Sequence, residues 1–270
     1  MEVLVLPTPE DVARRAAEVV IAGLVDAARA EPVLGLATGS SPLGLYAELA
    51  TAVRSGRLDL RSARGFALDE YVGLREGHPQ SYREVLLREV CRPLGLSPDR
   101  LHVPDGSGQD EAALVAAAQA YERLIADAGG VDVQILGIGA NGHLGFNEPG
   151  SALSSRTRVK RLSERTRSDN ARFFDGPDDV PTHCVTQGLG TVLDARRLVL
   201  VASGAAKAEA VAAALEGPLS ASCPGSVLQW HADATAVLDD AAATGLRNRD
   251  YYDESASGLP EPVTRRPKAW

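Results

Sequence analysis

Six short β-rich runs, each separated from the next by a stretch long enough for a helix, constrain this chain more than any other feature. They are Val3 to Leu6, Val33 to Ala37, Gly65 to Leu68, Val131 to Leu136, Leu198 to Ala202 and Ala234 to Leu238. Strands that alternate with helices pair in parallel, because a parallel crossover needs a dozen or more residues and is usually helical. The predicted fold is therefore α/β, a single doubly wound, mostly parallel sheet with helices on both faces. Thr8-Pro9-Glu10-Asp11 supplies an N-cap, a proline at the first helical position and early acids, and Ala13 to Ala30 continues that helix. Further helices are predicted over Pro42 to Val53, Ser81 to Val90, Glu111 to Ala128 and Ala205 to Glu216. Without an internal repeat or linker, residues 1–245 read as one domain. Beyond Gly245 the pattern dissolves into charged, Pro- and Ser-containing sequence, so 246–270 read as a loosely attached tail.

Composition narrows the class of function. The 270 residues are 44% hydrophobic, enough for a sizeable core. A formal net charge of -8 argues against a nucleic-acid partner, since neutralising phosphates requires a basic face. Cys91, Cys184 and Cys223 are odd in number, far apart and without metal-ligand spacing. A reduced, cytoplasmic compartment is the simplest reading. No apolar run approaches the length needed to cross a bilayer, and no secretory leader opens the chain, so no membrane partner is expected. One segment departs from the acidic average. Between Ser151 and Phe174 stand seven basic residues against Glu164 and Asp169, which suits either a small anionic ligand or a solvated, salt-bridged surface. Its Arg content and lack of apolar periodicity also permit a lid over a site.

Three places concentrate chemistry. The turn after the second strand reads Leu36-Ala-Thr-Gly-Ser-Ser-Pro42, where Gly39 permits close backbone approach and Thr38, Ser40 and Ser41 offer hydroxyls at a helix start. That is a ready phosphate cradle, and equally a plain turn with Ser as N-cap. The third strand ends in Asp69-Glu70. Ligands of parallel sheets sit beyond the carboxyl ends of the strands, so Asp69 occupies the place of a general base, with Glu70 directed away from it; a helix cap or a salt bridge is the bland reading of either. The fourth strand runs into Gly137-Ile-Gly-Ala-Asn-Gly-His-Leu-Gly-Phe-Asn-Glu-Pro149, which puts Asn141, His143 and Glu148 on one glycine-loosened loop. It matches G-x-G-x-x-G, but Gly145 and Pro149 interrupt the helix a dinucleotide site requires, and no strand-ending acid stands at the expected distance.

Together and in order, these motifs resemble the glucosamine-6-phosphate deaminase family, of the superfamily that includes 6-phosphogluconolactonase. The resemblance also rests on Leu68-Asp-Glu-Tyr-Val-Gly-Leu74, His78-Pro-Gln-Ser-Tyr82, Ser155-Arg-Thr-Arg-Val-Lys160 and Ala171-Arg-Phe-Phe174, and covers all but the tail. It implies a Rossmann-like fold, a phosphosugar substrate, no cofactor, and conversion of glucosamine 6-phosphate and water to fructose 6-phosphate and ammonia. It further implies that His143 helps to open the pyranose ring, supported by Asn141 and Glu148, and that Asp69 moves the C2 proton to C1. Thr38, Gly39, Ser40 and Ser41, with Arg172 and Lys207, are implied to hold the phosphate. Asn141 departs from the aspartate of well-known members: an amide cannot relay a proton, but its carbonyl can orient the imidazole. In allosteric, hexameric relatives Ser151, Arg158 and Lys160 match a second phosphosugar site, but Arg161 replaces a threonine there, so weak or absent activation is expected. A homo-oligomer is permitted. The lactonase, and a non-catalytic sugar-phosphate sensor on the same fold, are the competing readings. Asp69, Glu70 and the Asn147-Glu148-Pro149 end of the loop favour the deaminase, and a sensor would be expected to have lost Asp69 or His143. The five histidines, His78, His102, His143, His183 and His231, are scattered without ligand spacing, so no metal is expected.

Overall fold

The computed structural model describes residues 1–256. In chain order its strands are β1 (Glu2–Leu6), β2 (Val33–Leu36), β3 (Arg64–Ala67), β4 (Asp69–Tyr71), β5 (Leu101–His102), β6 (Val133–Leu136), β7 (Arg158–Arg161), β8 (His183–Thr186), β9 (Arg197–Ala202) and β10 (Ala234–Asp239). The α-helices are α1 (Pro9–Asp26), α2 (Leu43–Arg54), α3 (Tyr82–Leu86), α4 (Arg92–Leu94), α5 (Glu111–Asp127), α6 (Glu164–Asn170), α7 (Leu189–Leu193), α8 (Ala208–Glu216) and α9 (Arg249–Ala256).

Seven strands form a parallel sheet in the order β1-β10-β9-β6-β2-β3-β5. Successive side chains of a strand point to opposite faces, yet every residue of β2, β6 and β10 is buried, so both faces of the sheet are covered. From β2 the chain proceeds outward through β3 to β5, whereas from β6 it proceeds the other way through β9 to β10. The order therefore reverses between β2 and β6, and the crevice beyond their carboxyl ends is where a fold of this class places a ligand.

A second sheet was not anticipated from the sequence. β4, β8 and β7 pair antiparallel, with Asp69 opposite Thr186 and Arg158 opposite the same threonine on the other side. Leu68 carries the chain from β3 in the large sheet to β4 in the small one. Tyr71, Phe146, Leu162, Val180 and Cys184 form a separate apolar cluster that anchors this sheet. Part of the segment expected as a lid is thereby fixed, since β7 is a paired strand; α6 follows it.

Helix ends differ in instructive ways. α1 stops at Asp26 rather than Ala30, because Ala28 takes φ of 50° and cannot continue the turn. The helix predicted over Ser81 to Val90 is broken into α3, a π turn at Leu87–Cys91 and α4. Within the segment read as a tail, Leu246 belongs to the main core, Arg249–Ala256 form α9, and the N–H groups of Arg247 and Asn248 donate to Glu216. The remainder of that segment, 257–270, lies outside the described residues. Among the described residues no helix is long and apolar enough to cross a membrane.

Candidate active site

A cavity of about 140 Å³ opens at the crevice where the strand order reverses. Its walls are the β2–α2 turn, the end of β3, the loop after β6, the inner side of α6 with the following turn, and Lys207 after β9. Of the residues singled out in the sequence, Thr38, Gly39, Ser40, Ser41, Asp69, His143, Arg172 and Lys207 all line it. Asn141 and Glu148 stand behind His143 through hydrogen bonds.

At one end, the first turn of α2 has no side-chain cap: Pro42 occupies the N-cap position, and Ser40 and Ser41 both line the cavity. The reading of this turn as a serine-capped helix start is thus excluded, and the hydroxyls of Ser40 and Ser41 are not engaged in capping α2. Lys207 sits in a 3-10 turn after Gly204, whose N–H donates to the buried Asp239 at the end of β10. Burial pulls the Lys207 ammonium below its ordinary value, Asp169 opposes this and Arg172 reinforces it. Arg172 lies over the ring of Phe173, 4.7 Å from its centre.

Asp69 is 4% exposed and carries a carboxyl pushed up from 3.8 to about 8, first by burial and then by the neighbouring Glu70, with the Phe146 N–H and the Thr186 hydroxyl pulling the other way. Gly145 makes room for it. Its φ is +54°, and a β-carbon there would come 3.1 Å from Asp69 Oδ2. Glu70 does point elsewhere. Its carboxylate accepts from Tyr82 N at 3.0 Å, Arg83 N at 3.0 Å and Ser81 Oγ at 2.7 Å, so it caps α3 from outside the helix. Of the two adjacent acids one faces the cavity and one is a helix cap.

The histidine loop turns back tightly. A β-carbon on Gly139 would lie 2.1 Å from the imidazole of His143, so only glycine lets the ring pack there. His143 Nδ1 is 2.7 Å from Asn141 Oδ1, and the Asn141 amide nitrogen donates to Glu148 Oε2 at 2.8 Å. Burial raises the Glu148 carboxyl, but hydrogen bonds from Thr166 and Asn141, the charge of His143 and a bond from Ser163 outweigh it and hold the group below its ordinary value. An ionised carboxylate only accepts. The Asn141 NH2 must therefore face Glu148, its carbonyl faces Nδ1, and the imidazole carries its proton on Nδ1 with the Nε2 lone pair free. Burial, the largest influence, holds the imidazole below 6.5; Glu148 and Asp169 oppose it, while Lys207 and Arg165 reinforce it. The balance favours the neutral imidazole.

The other three sequence candidates lie apart from this cavity. Ser151 is buried with its hydroxyl unpartnered, and Arg158 donates from Nη1 to Asn147 Oδ1 at 2.8 Å. Arg158 and Arg161 border a separate cleft against the start of α5, while Lys160 lies between them on β7. Sequence reasoning missed Tyr82, Thr166, Asp169 and Asn170, which also line the cavity. Tyr82 stood within a quoted motif, and Ser163-Glu164 carried a helix-start signal that the density of arginines obscured.

A sequence profile of the family described as glucosamine-6-phosphate isomerases/6-phosphogluconolactonase matches residues 7–237. The chain is 53% identical to a glucosamine-6-phosphate deaminase of Arthrobacter sp. (strain FB24), over 96% of this chain and 98% of that one. It is 54% identical to the glucosamine-6-phosphate deaminase of Rhodococcus opacus (strain B4), over 93% and 95% of the two chains. Among solved structures, a monomeric glucosamine-6-phosphate deaminase superposes with a TM-score of 0.86 at 38% identity, covering 91% of this chain and 100% of that one. The 6-phosphogluconolactonase of Trypanosoma brucei shares the fold, with a TM-score of 0.74 at 20% identity over 91% and 98%.

Proposed function

We propose, for a chain that belongs to the glucosamine-6-phosphate isomerase/6-phosphogluconolactonase family, that the cavity performs the deaminase reaction with the following division of labour. The enzyme converts glucosamine 6-phosphate and water into fructose 6-phosphate and ammonia. The observation that carries the reading is that Asp69 and His143 open onto the same cavity as the Thr38–Ser41 turn before α2, Lys207 and Arg172.

The phosphate binds at that turn, where the hydroxyls of Thr38, Ser40 and Ser41 and two cations meet it. Held there, the sugar presents C1 and C2 to the reactive groups. His143 Nε2 accepts the C1 hydroxyl proton and passes it to the ring oxygen as the bond between C1 and that oxygen breaks, which opens the pyranose to the aldehyde. The aldehyde acidifies the C2 proton. Asp69 takes that proton and returns it to C1 while a proton of the amine passes to the C1 oxygen, leaving a C1 hydroxyl and an imine at C2; water adds to the imine carbon, and the C–N bond breaks as ammonia departs. Lactone hydrolysis moves no proton from C2, so it would leave Asp69 without a task.

Purified protein supplied with glucosamine 6-phosphate is expected to release ammonia and fructose 6-phosphate in equal amounts. Asp69→Asn is expected to release neither. Hydrolysis of 6-phosphogluconolactone without ammonia release would overturn the assignment.

A further inference from the structure

Glu148 is the fixed point of the histidine loop, and its two oxygens face different elements. Oε2 takes the Asn141 amide, whereas Oε1 is held entirely from α6 and its cap. Thr166 Oγ1 donates to Oε1 at 2.5 Å, Ser163 Oγ at 2.9 Å, and Ser163 N–H at 3.3 Å. Ser163 is also the N-cap of α6, with its hydroxyl accepting from Thr166 N–H. Thr166 is 3% exposed, and its hydroxyl lies 3.1 Å from Ser163 Oγ, so the two hydroxyls and Glu148 Oε1 form one small network.

The departure at position 141 gives this arrangement its weight. A carboxylate there would accept from Nδ1 with either oxygen and in any flip. An amide has two unlike ends, and two groups set which one His143 meets: Glu148 Oε2 takes the amide nitrogen at 2.8 Å, and the His143 backbone N–H donates to Asn141 Oδ1 at 3.2 Å. With Oε2 aimed at the amide nitrogen, the carbonyl meets Nδ1 and the free lone pair is on Nε2. With Glu148 rotated away, the orientation rests on the long His143 backbone N–H bond at 3.2 Å; an amide that turns against it sets its NH2 toward Nδ1, and the proton must move to Nε2. That tautomer has no lone pair to offer the cavity.

We propose that Thr166 and Ser163 are positioning residues, which by holding Glu148 Oε1 keep Asn141 oriented and His143 in its Nδ1–H tautomer. The consequence reaches beyond one hydrogen bond. α6 leads directly into the turn carrying Arg172, so the same short segment that reaches the phosphate end of the cavity also sets the protonation pattern of His143. The functional consequence rests on the reading of His143 as the ring-opening base; the structural one, the tautomer, does not.

The test uses 15N-histidine-labelled full-length protein, in which the imidazole nitrogen shifts and their couplings report the tautomer of each histidine without substrate. His143→Gln assigns the signal. The wild type is expected to show His143 as Nδ1–H. Thr166→Val keeps the volume and removes the donor; it is expected to mix the tautomers and lower kcat about tenfold with KM changed less than about twofold. Thr166→Ser restores the hydroxyl and is expected to recover both signals. Ser163→Ala should act in the same direction, and the double variant more strongly. Persistence of a pure Nδ1–H signal in Thr166→Val would overturn the proposal, as would a KM increase at constant kcat, which marks a residue that only shapes the wall. A tautomer shift in a protein that releases no ammonia would sustain the positioning role while removing the assigned reaction.

Discussion

Replacing Asp69 by asparagine should abolish turnover and at the same time make the protein more stable. The carboxyl is 4% exposed and is raised from 3.8 to about 8 by burial and by Glu70. In the unfolded chain it ionises near 4; in the folded chain it keeps its proton until about 8. Between those values the folded state binds more protons, so stability falls as pH rises through the window, and the favourable contribution is complete only below it. At pH 7 about three pH units of the window have been crossed. At 1.36 kcal/mol per unit this amounts to ~4 kcal/mol of stability that a neutral isostere would not forgo. Relaxation around the charge reduces the figure, and half of it, ~2 kcal/mol, corresponds to a rise in Tm of about 4–8 °C for a domain of this size. The asparagine carbonyl can accept from the same donors, the Phe146 N–H and the Thr186 hydroxyl. Thermal unfolding of both proteins from pH 4 to 8, followed by circular dichroism, measures the effect. The variant should be more stable at pH 7 and the difference should shrink toward pH 4. A variant equally or less stable at pH 7, with a difference independent of pH, would refute the reasoning.

Further outcomes follow from the same geometry. In the free enzyme log kcat/KM should climb with pH from 6.5 toward about 8, the value to which Asp69 is raised, and then level; a flat profile over that range, measured by ammonia release, would exclude Asp69 as the base. Arg172→Ala and Lys207→Ala should each raise KM for glucosamine 6-phosphate about tenfold or more, as loss of one charged hydrogen bond implies, while kcat changes far less. Asn141→Ala should cost less than His143→Ala in steady-state assays, because it frees the imidazole orientation without removing the base; equal losses would show that orientation is too small a role. N-acetylglucosamine 6-phosphate should activate weakly or not at all, since Arg158 is tied to Asn147 and Arg161 departs from the threonine that the resemblance implies there. A sigmoidal curve made hyperbolic by that ligand would reverse the expectation.

The large sheet was legible because its strands are apolar runs, and those at its centre, such as β2 and β6, are buried on both faces. The small sheet was not. β7 reads Arg-Val-Lys-Arg and β4 reads Asp-Glu-Tyr, and neither resembles a strand until its partner β8, all but one of whose residues are buried, is in place. The same limit governs the site. Asp69, His143 and the β2–α2 turn declared themselves because each lies just past a strand end, where parallel topology brings distant segments together. Thr166 and Ser163 matter through a single oxygen of Glu148, a relation between two loops that no local spacing encodes. Glu70 shows what strand alternation can tell: it directs the second carboxylate away from Asp69, and the structure engages it in three bonds to the start of α3, the helix-cap reading of that residue.

The protonation states of the site fit together in one respect. Burial pushes Asp69 up and His143 down, so both reactive groups are uncharged at rest, while Glu148 is held ionised by its donors. On the proposed reading the phosphate gains from this, because the cations among the described residues that line the cavity are Lys207 and Arg172, offset by Asp169. The substrate brings the missing charge. An ammonium at C2 would lie beside Asp69 and favour its carboxylate, so the base becomes ionised when the amine arrives and the resting fold is spared a buried unpaired anion. If the amine is what ionises Asp69, the acid limb governing kcat must fall at lower pH than the limb governing kcat/KM, since the first reports the bound complex and the second the free enzyme. Coincident limbs would mean that Asp69 ionises before the sugar binds, and that the fold carries the full cost of the charge itself.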